Sequence, residues 1–158
     1  MKRMAILAVI ILSLSIFTFG GVYIGGGIMK LLGNSSDMQG IYFEGRITVG
    51  KGLSLDLVGV LPQQSEEDEY SVVNLLTYLN VDVPISKMEI YGGFSPLWSF
   101  YNGVFLEEYF KKYGYIHGGV ALTLKPVRLY AEIATIISYQ TLSFEGVPGV
   151  SVGAQIGF

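Results

Sequence analysis

The sequence predicts an all-β fold: a transmembrane barrel of eight antiparallel up-and-down strands over residues 21–158, preceded by a signal peptide at 1–20. Three observations carry this. The first is alternation. In residues 41–49 one face reads Ile41, Phe43, Gly45, Ile47 and Val49, and the other Tyr42, Glu44, Arg46 and Thr48. A half-buried sheet in water must cover its apolar face, and little of the chain is left over to do so. A barrel with lipid outside and polar groups inside needs no cover. The second is composition. The 158 residues are 51% hydrophobic and only 15% charged, against roughly a quarter charged in ordinary globular domains. Yet after residue 20 no apolar run approaches the ~20 residues of a membrane helix. The third is the links between strands, which alternate strictly between short and long.

The N-terminus comes first in chain order. Met1-Lys2-Arg3 is basic, residues 4–19 are nearly all apolar, and Gly20-Gly21 follows. This is the layout of a secretory leader, with Thr18 and Gly20 small enough for a cut after Gly20. An uncleaved membrane anchor is the alternative. Cysteine is absent, so no disulfide framework or thiolate chemistry is available. The formal charge is −3, and it becomes more acidic if Lys2 and Arg3 leave with a leader. That argues against nucleic acid as a partner.

The strands follow in order. The first, 22–32, is Gly-rich and its facing is ambiguous. The second is 41–49. The third, 53–61, sets Leu53, Leu55, Leu57 and Leu61 against Ser54 and Asp56. The fourth, 72–83, sets Val73, Leu75, Leu79, Val81 and Val83 against Asn74, Tyr78, Asn80 and Asp82. There Val72, Leu75, Leu76 and Leu79 also fit helical spacing, so a helix stays open. The fifth is 88–99. The sixth, 115–124, sets Ile116, Val120, Leu122 and Leu124 against Tyr115, His117 and Thr123. The seventh, 127–139, sets Val127, Leu129, Ala131, Ile133 and Ile137 against Arg128, Tyr130, Glu132 and Ser138. The eighth, 149–158, sets Val150, Val152, Ala154, Ile156 and Phe158 against Ser151 and Gln155. Most have the ~9–11 residues that a tilted strand needs to cross a bilayer.

The short links are Gly50-Lys51-Gly52, Pro84-Ile85-Ser86-Lys87 and Lys125-Pro126. An up-and-down barrel with both termini at its short-turn end has this pattern; a Greek-key sandwich mixes link lengths. The turns also set register. A three-residue loop at Gly50 puts Val49 opposite Leu53 and Arg46 opposite Asp56. A Lys125-Pro126 turn puts Thr123 opposite Arg128 and Gly119 opposite Glu132. Polar faces then match across both hairpins.

With leader, link alternation and a last strand ending on Phe158, the chain resembles the small eight-stranded outer-membrane barrels of the OmpA/OmpX type. The resemblance covers residues 22–158 as a pattern. It implies an outer-membrane location, outer-membrane lipid around the barrel, and an assembly signal at Ala154, Ile156 and Phe158 read by the barrel-assembly machinery. It implies no cofactor and leaves the oligomeric state open.

In such a barrel the lumen would hold Glu44, Arg46, Asp56, Asp82, Glu89, His117, Arg128 and Glu132, with Asn74, Asn80, Tyr78, Tyr130 and Gln155. Eight strands leave an interior just wide enough for side chains to fill, and buried charges must pair. Arg46 with Asp56 is the first expected pair, and Arg128 with Glu132 or Glu89 the second. The network reads either as a static plug or as a charged gate of a narrow, cation-preferring pore. His117 is the sole histidine. Some barrels of this class modify lipid A with a His, a Ser and a carboxylate. Here Gly118-Gly119 follows the histidine, and small residues near Ala134, not an acid, are expected beside it. No enzyme is therefore expected, and a lipid-modifying enzyme centred on His117 is the alternative.

Ser65-Glu66-Glu67-Asp68-Glu69-Tyr70 is the most acidic stretch; it lacks the ligand spacing of a calcium loop and reads as a solvated tip. Residues 104–112 read as a short helix with Glu107–Lys111 and Glu108–Lys112 pairs. It would be a lid, a partner-binding knob or an interfacial cap on the rim. Phe43, Trp98, Phe100, Tyr101, Tyr113 and Tyr139 cluster near the long-link ends as an aromatic girdle. Tyrosine, at 11 residues, suits a membrane–water boundary. The expected role is structural, adhesive or that of a narrow pore. A soluble exported lipocalin-like carrier, with its apolar faces inside, is the remaining alternative.

Overall fold

The computed structural model describes residues 19–32, 39–50, 52–62 and 72–158. Eight long strands among them are β1 (Phe19–Leu31), β2 (Gln39–Val49), β3 (Leu53–Pro62), β4 (Val72–Ile85), β5 (Met88–Tyr101), β7 (Tyr113–Leu124), β8 (Val127–Ser138) and β9 (Phe144–Gly157). Between β5 and β7 lie a two-residue arm, β6 (Val104–Phe105), and one helix, α1 (Glu107–Lys112). Each long strand runs antiparallel to its neighbours in the order β4-β3-β2-β1-β9-β8-β7-β5, and β4 pairs with β5 to close the barrel. The expected leader lies outside the described residues, except that Phe19 and Gly20 already belong to β1.

Alternation decides which way each strand faces. On β2, Tyr42, Glu44 and Arg46 are buried while Ile41 and Phe43 are each 60% exposed. On β4, Leu76, Tyr78, Asn80 and Asp82 point inward while Leu79 and Val81 are 63% and 62% exposed. A strand therefore replaces the helix left open over 72–83, because its period-two split is carried without a break from Leu76 to Val83. Charge sits inside and aliphatic surface outside. That is opposite to what a lipocalin-like carrier needs, and the soluble-carrier alternative is set aside on that ground.

Both expected hairpin registers are present: Val49 with Leu53 and Arg46 with Asp56, and Thr123 with Arg128 and Gly119 with Glu132. In β1 the run Gly25-Gly26-Gly27 hides the pattern from the sequence; in the barrel Ile24 and Ile28 face out at 58% and 61% exposure.

The last strand starts five residues earlier than its sequence suggests. Its ladder with β8 is regular from Gly149 onward and shifts register between Ala134 and Ile136. Gly146 sits at φ 83° in the left-handed region, which a side chain disfavours, and Pro148 has no N–H to donate. The resulting bulge interrupts the alternation, so the sequence pattern begins only beyond it.

Candidate functional site

The barrel interior is the candidate site, and its lower half, toward the short turns, is a continuous polar network. Arg46 on β2 is fully buried. Its Nη1 donates to Asp56 Oδ2 at 3.1 Å. Its Nη2 donates to Asp82 Oδ1 and to Glu89 Oε1 at 2.9 Å. Glu89 also accepts from Arg128 Nη2 at 2.9 Å, and Arg128 Nη1 donates to Gln155 Oε1 at 2.8 Å. Arg128 thus takes Glu89 of its two expected partners. The Tyr91 ring lies between the two guanidiniums, 4.7 Å from that of Arg46 and 5.0 Å from that of Arg128. Stacking of this kind adds to the ion pairs.

Asn80 joins this layer to a second one. Its Nδ2 donates to Asp56 Oδ2 at 2.6 Å and to Ser54 Oγ at 3.2 Å, and Ser54 donates to Asp82. Asn80 Oδ1 accepts from His117 Nε2 at 2.7 Å. The other ring nitrogen, Nδ1, meets Glu132 Oε2 at 3.1 Å. An amide oxygen only accepts, so Nε2 is the donor to Asn80, and Nδ1 faces the Glu132 carboxylate. Glu132 also accepts from Tyr91 OH at 3.0 Å and from Ser151 Oγ at 2.9 Å. Tyr78 stacks on the imidazole at 3.7 Å.

The expectation that no acid flanks His117 is corrected. Ala134 does stand opposite it in the ladder, but Glu132, one inward position along β8, reaches the ring. The set still lacks the contact a hydrolytic triad requires, a serine hydroxyl on the base. Ser151 donates to the carboxylate, not to the imidazole.

The sequence put Tyr42, Ser54 and Ser151 on polar faces without naming them among the lumen groups, and it missed Tyr91. Tyr91 was legible by parity from Glu89 on the same strand. Tyrosine's main place is also corrected: Tyr42, Tyr78, Tyr91 and Tyr130 belong to the buried core, with Tyr115 packed against it. Eight strands enclose a narrow space, and flat rings fill it.

Of the six girdle candidates, Phe43, Trp98, Phe100 and Tyr139 stand on the outer face. Tyr113 packs inward against the core, where parity along β7 sets it, and Tyr101, the last residue of β5, is exposed. Phe110 and Phe105 pack on Trp98 with ring centroids at 4.6 Å and 5.9 Å. They lie on the outer wall of β5 near the rim, the place expected of an interfacial cap. Glu107–Lys111 and Glu108–Lys112 pair across α1 at 2.7 Å and 3.5 Å. The acidic stretch at 65–70 lies outside the described residues. Val152, Ile156 and Phe158 all face outward from β9, with Phe158 83% exposed.

No family model matches the chain, and no curated protein is similar enough in sequence to count as a relative. Solved structures do match. One, described as "De novo design of transmembrane beta-barrels", aligns at TM-score 0.63 and 12% identity, covering 89% of this chain and 98% of that one. The designed protein TMB2.3 aligns at TM-score 0.57 and 6% identity, covering 87% and 94%. OmpT, an outer-membrane protein of Vibrio cholerae in its trimer form, aligns at only 0.40 and 15% identity over 89% of this chain and 53% of that one. At these identities the likeness is one of fold: this chain is a closed eight-stranded barrel similar to transmembrane β-barrels.

Proposed function

We propose that the protein is an outer-membrane β-barrel with a sealed lumen, a membrane-held scaffold that acts through what its long connections present. The observation that carries this is the inversion of polarity. Arg46 and Asp56 are completely buried in the interior, while the outer wall is apolar from β1 round to β9. Unfavourable in water, this arrangement is the stable one where lipid surrounds the wall. The Arg46–Asp56–Asp82–Glu89–Arg128 layer supports sealing, since its ion pairs link side chains from five strands across the lumen. The outward Ala154, Ile156 and Phe158 support a role as the assembly signal, and Phe43, Trp98, Phe100 and Tyr139 a one-sided girdle.

The test is to refold the chain in detergent, run it on a cold SDS gel with and without boiling, and then insert it into dye-loaded vesicles. A compact band that shifts on boiling, with no dye or ion leakage, is the expected result. Solubility in plain buffer without detergent would overturn the membrane reading. A steady cation-selective conductance would replace the scaffold with a pore, a second reading favoured by the excess of carboxylates over guanidiniums inside.

A further inference from the structure

The three short links lie at one end of the barrel, and each carries a lysine: Lys51, Lys87 and Lys125. None carries an acid, and the acidic residues outside the lumen fall in or beside the long connections at the other end. Lys51 lies outside the described residues; the other two stand on adjacent turns. Met88 and Leu122 face each other in the ladder between β5 and β7, and just beyond them the Thr123 N–H donates to the Lys87 carbonyl at 2.8 Å. Between the two turns is an open cleft of about 480 Å³, lined by Ser86, Lys87, Thr123, Leu124 and Lys125.

Two observations point to what the cleft takes. The first is charge without a counter-charge. Neither lysine makes an ion pair with a carboxylate of the described residues, that of Phe158 at the same end included, whereas Lys111 and Lys112 pair with Glu107 and Glu108. The next inward residue along β5 from Lys87 is Glu89, and Arg46 and Arg128 already hold it. The second is position. Leu124 belongs to the outer wall, and Ile85, Met88 and Val127 beside the two turns are exposed on it as well. Both lysines therefore stand where the apolar wall ends. With lipid around that wall, a lysine stem lies along apolar surface while its ammonium reaches the headgroups.

We propose that this cleft binds the phosphate of an anionic membrane lipid, in the leaflet at the short-turn end. Lys87 and Lys125 supply the charge, the Ser86 and Thr123 hydroxyls are donors to the remaining phosphate oxygens, and the acyl chains run along Leu124 and Met88. Each lysine close to an anionic surface contributes about fivefold in binding, so the pair selects such a lipid over a zwitterionic one. The proposal rests on the membrane reading and adds a direction to it. Anionic lipid holds the barrel at its cationic end, and the acidic connections point away from that leaflet.

The test uses the full chain, refolded in detergent, checked by its heat-shifted band, and placed in nanodiscs of phosphatidylcholine with phosphatidylglycerol of the same chain length. Native mass spectrometry of the released barrel counts the lipids it keeps. One phosphatidylglycerol retained in preference to phosphatidylcholine, by about twentyfold, is expected. Lys87→Gln together with Lys125→Gln should abolish the preference. Lys30→Gln, which removes an exposed lysine near the opposite rim, should leave it. Equal retention of the two lipids, an unchanged preference in the folded double variant, or an equal loss in Lys30→Gln would each overturn the proposal and leave the membrane reading standing. Displacement of the lipid by inorganic phosphate would assign the cleft to free anions and overturn it too. A chain that shows no heat-shifted band and dissolves without detergent would overturn both.

Discussion

At the scale of single residues the interior is held by Arg46. Three carboxylates, on β3, β4 and β5, converge on this one guanidinium, so Arg46→Ala leaves all three buried without it. Breaking a buried pair by removing one partner costs ~3–5 kcal/mol. A drop of that size in urea unfolding, followed in detergent or vesicles, is expected. A drop below ~1 kcal/mol would mean that water already screens the site. Gly153 is the steric counterpart. A Cβ there would lie 2.4 Å from the Tyr130 hydroxyl and 2.7 Å from the Gly26 carbonyl oxygen. Gly153→Val should therefore cost ~1–3 kcal/mol by overpacking, measured in the same unfolding assay. Neither residue announces itself in sequence: the convergence on Arg46 gathers strands distant in the chain, and Tyr130 meets Gly153 only once β8 and β9 pair.

At the scale of elements, β5 differs from its neighbours because the long-connection end of its outer face carries Trp98 and Phe100, beyond the exposed Ile90, and α1 docks there. The helix is only six residues long and has no side-chain N-cap bond, so propensity alone cannot hold it. The aromatic contacts with Trp98 do that. Trp98→Ala should release α1 and speed trypsin cleavage after Lys111 or Lys112, while the boiling-dependent gel shift stays. Unchanged cleavage would show that the Phe100–Phe105 contact suffices. The period-two split of the strands and the i,i+4 pairs of α1 were legible because they are local. The β9 bulge was not, because Gly146 and Pro148 read as a turn until β8 pairs on both sides of them.

At the scale of the whole molecule, the outer wall separates a barrel in lipid from one in water. Leu79 lies near the middle of β4 and is 63% exposed. Leu79→Arg should cost ~2–4 kcal/mol in folding into vesicles, the cost of an arginine near a bilayer midplane. On a water-facing surface the same change would be nearly neutral, within ~0.5 kcal/mol, so the measurement also tests the environment. Closure matters at this scale as well. Tyr23 meets Gly157 and Leu31 meets Gly149 across the β1–β9 seam, and Leu76 meets Leu97 across β4–β5, leaving no free edge along the barrel wall to template aggregation.

The sequence by itself determined the order of the strands, the facing of most of them, and two hairpin registers. All of these rest on alternation and on turns of two to four residues, which are local signals. It also named most of the charged residues of the lumen, since on these strands the polar parity is the inward one. Only the tertiary structure decided who meets whom inside. That Arg128 takes Glu89 and that Glu132 turns to His117 depend on the stagger of eight strands closed into a ring. Closure sets the height at which each inward residue meets those across the lumen, and no window of sequence contains that height. It likewise turned Tyr113 inward and laid α1 against Trp98 on the outside, because the side a residue faces follows parity along its strand rather than nearness to the rim.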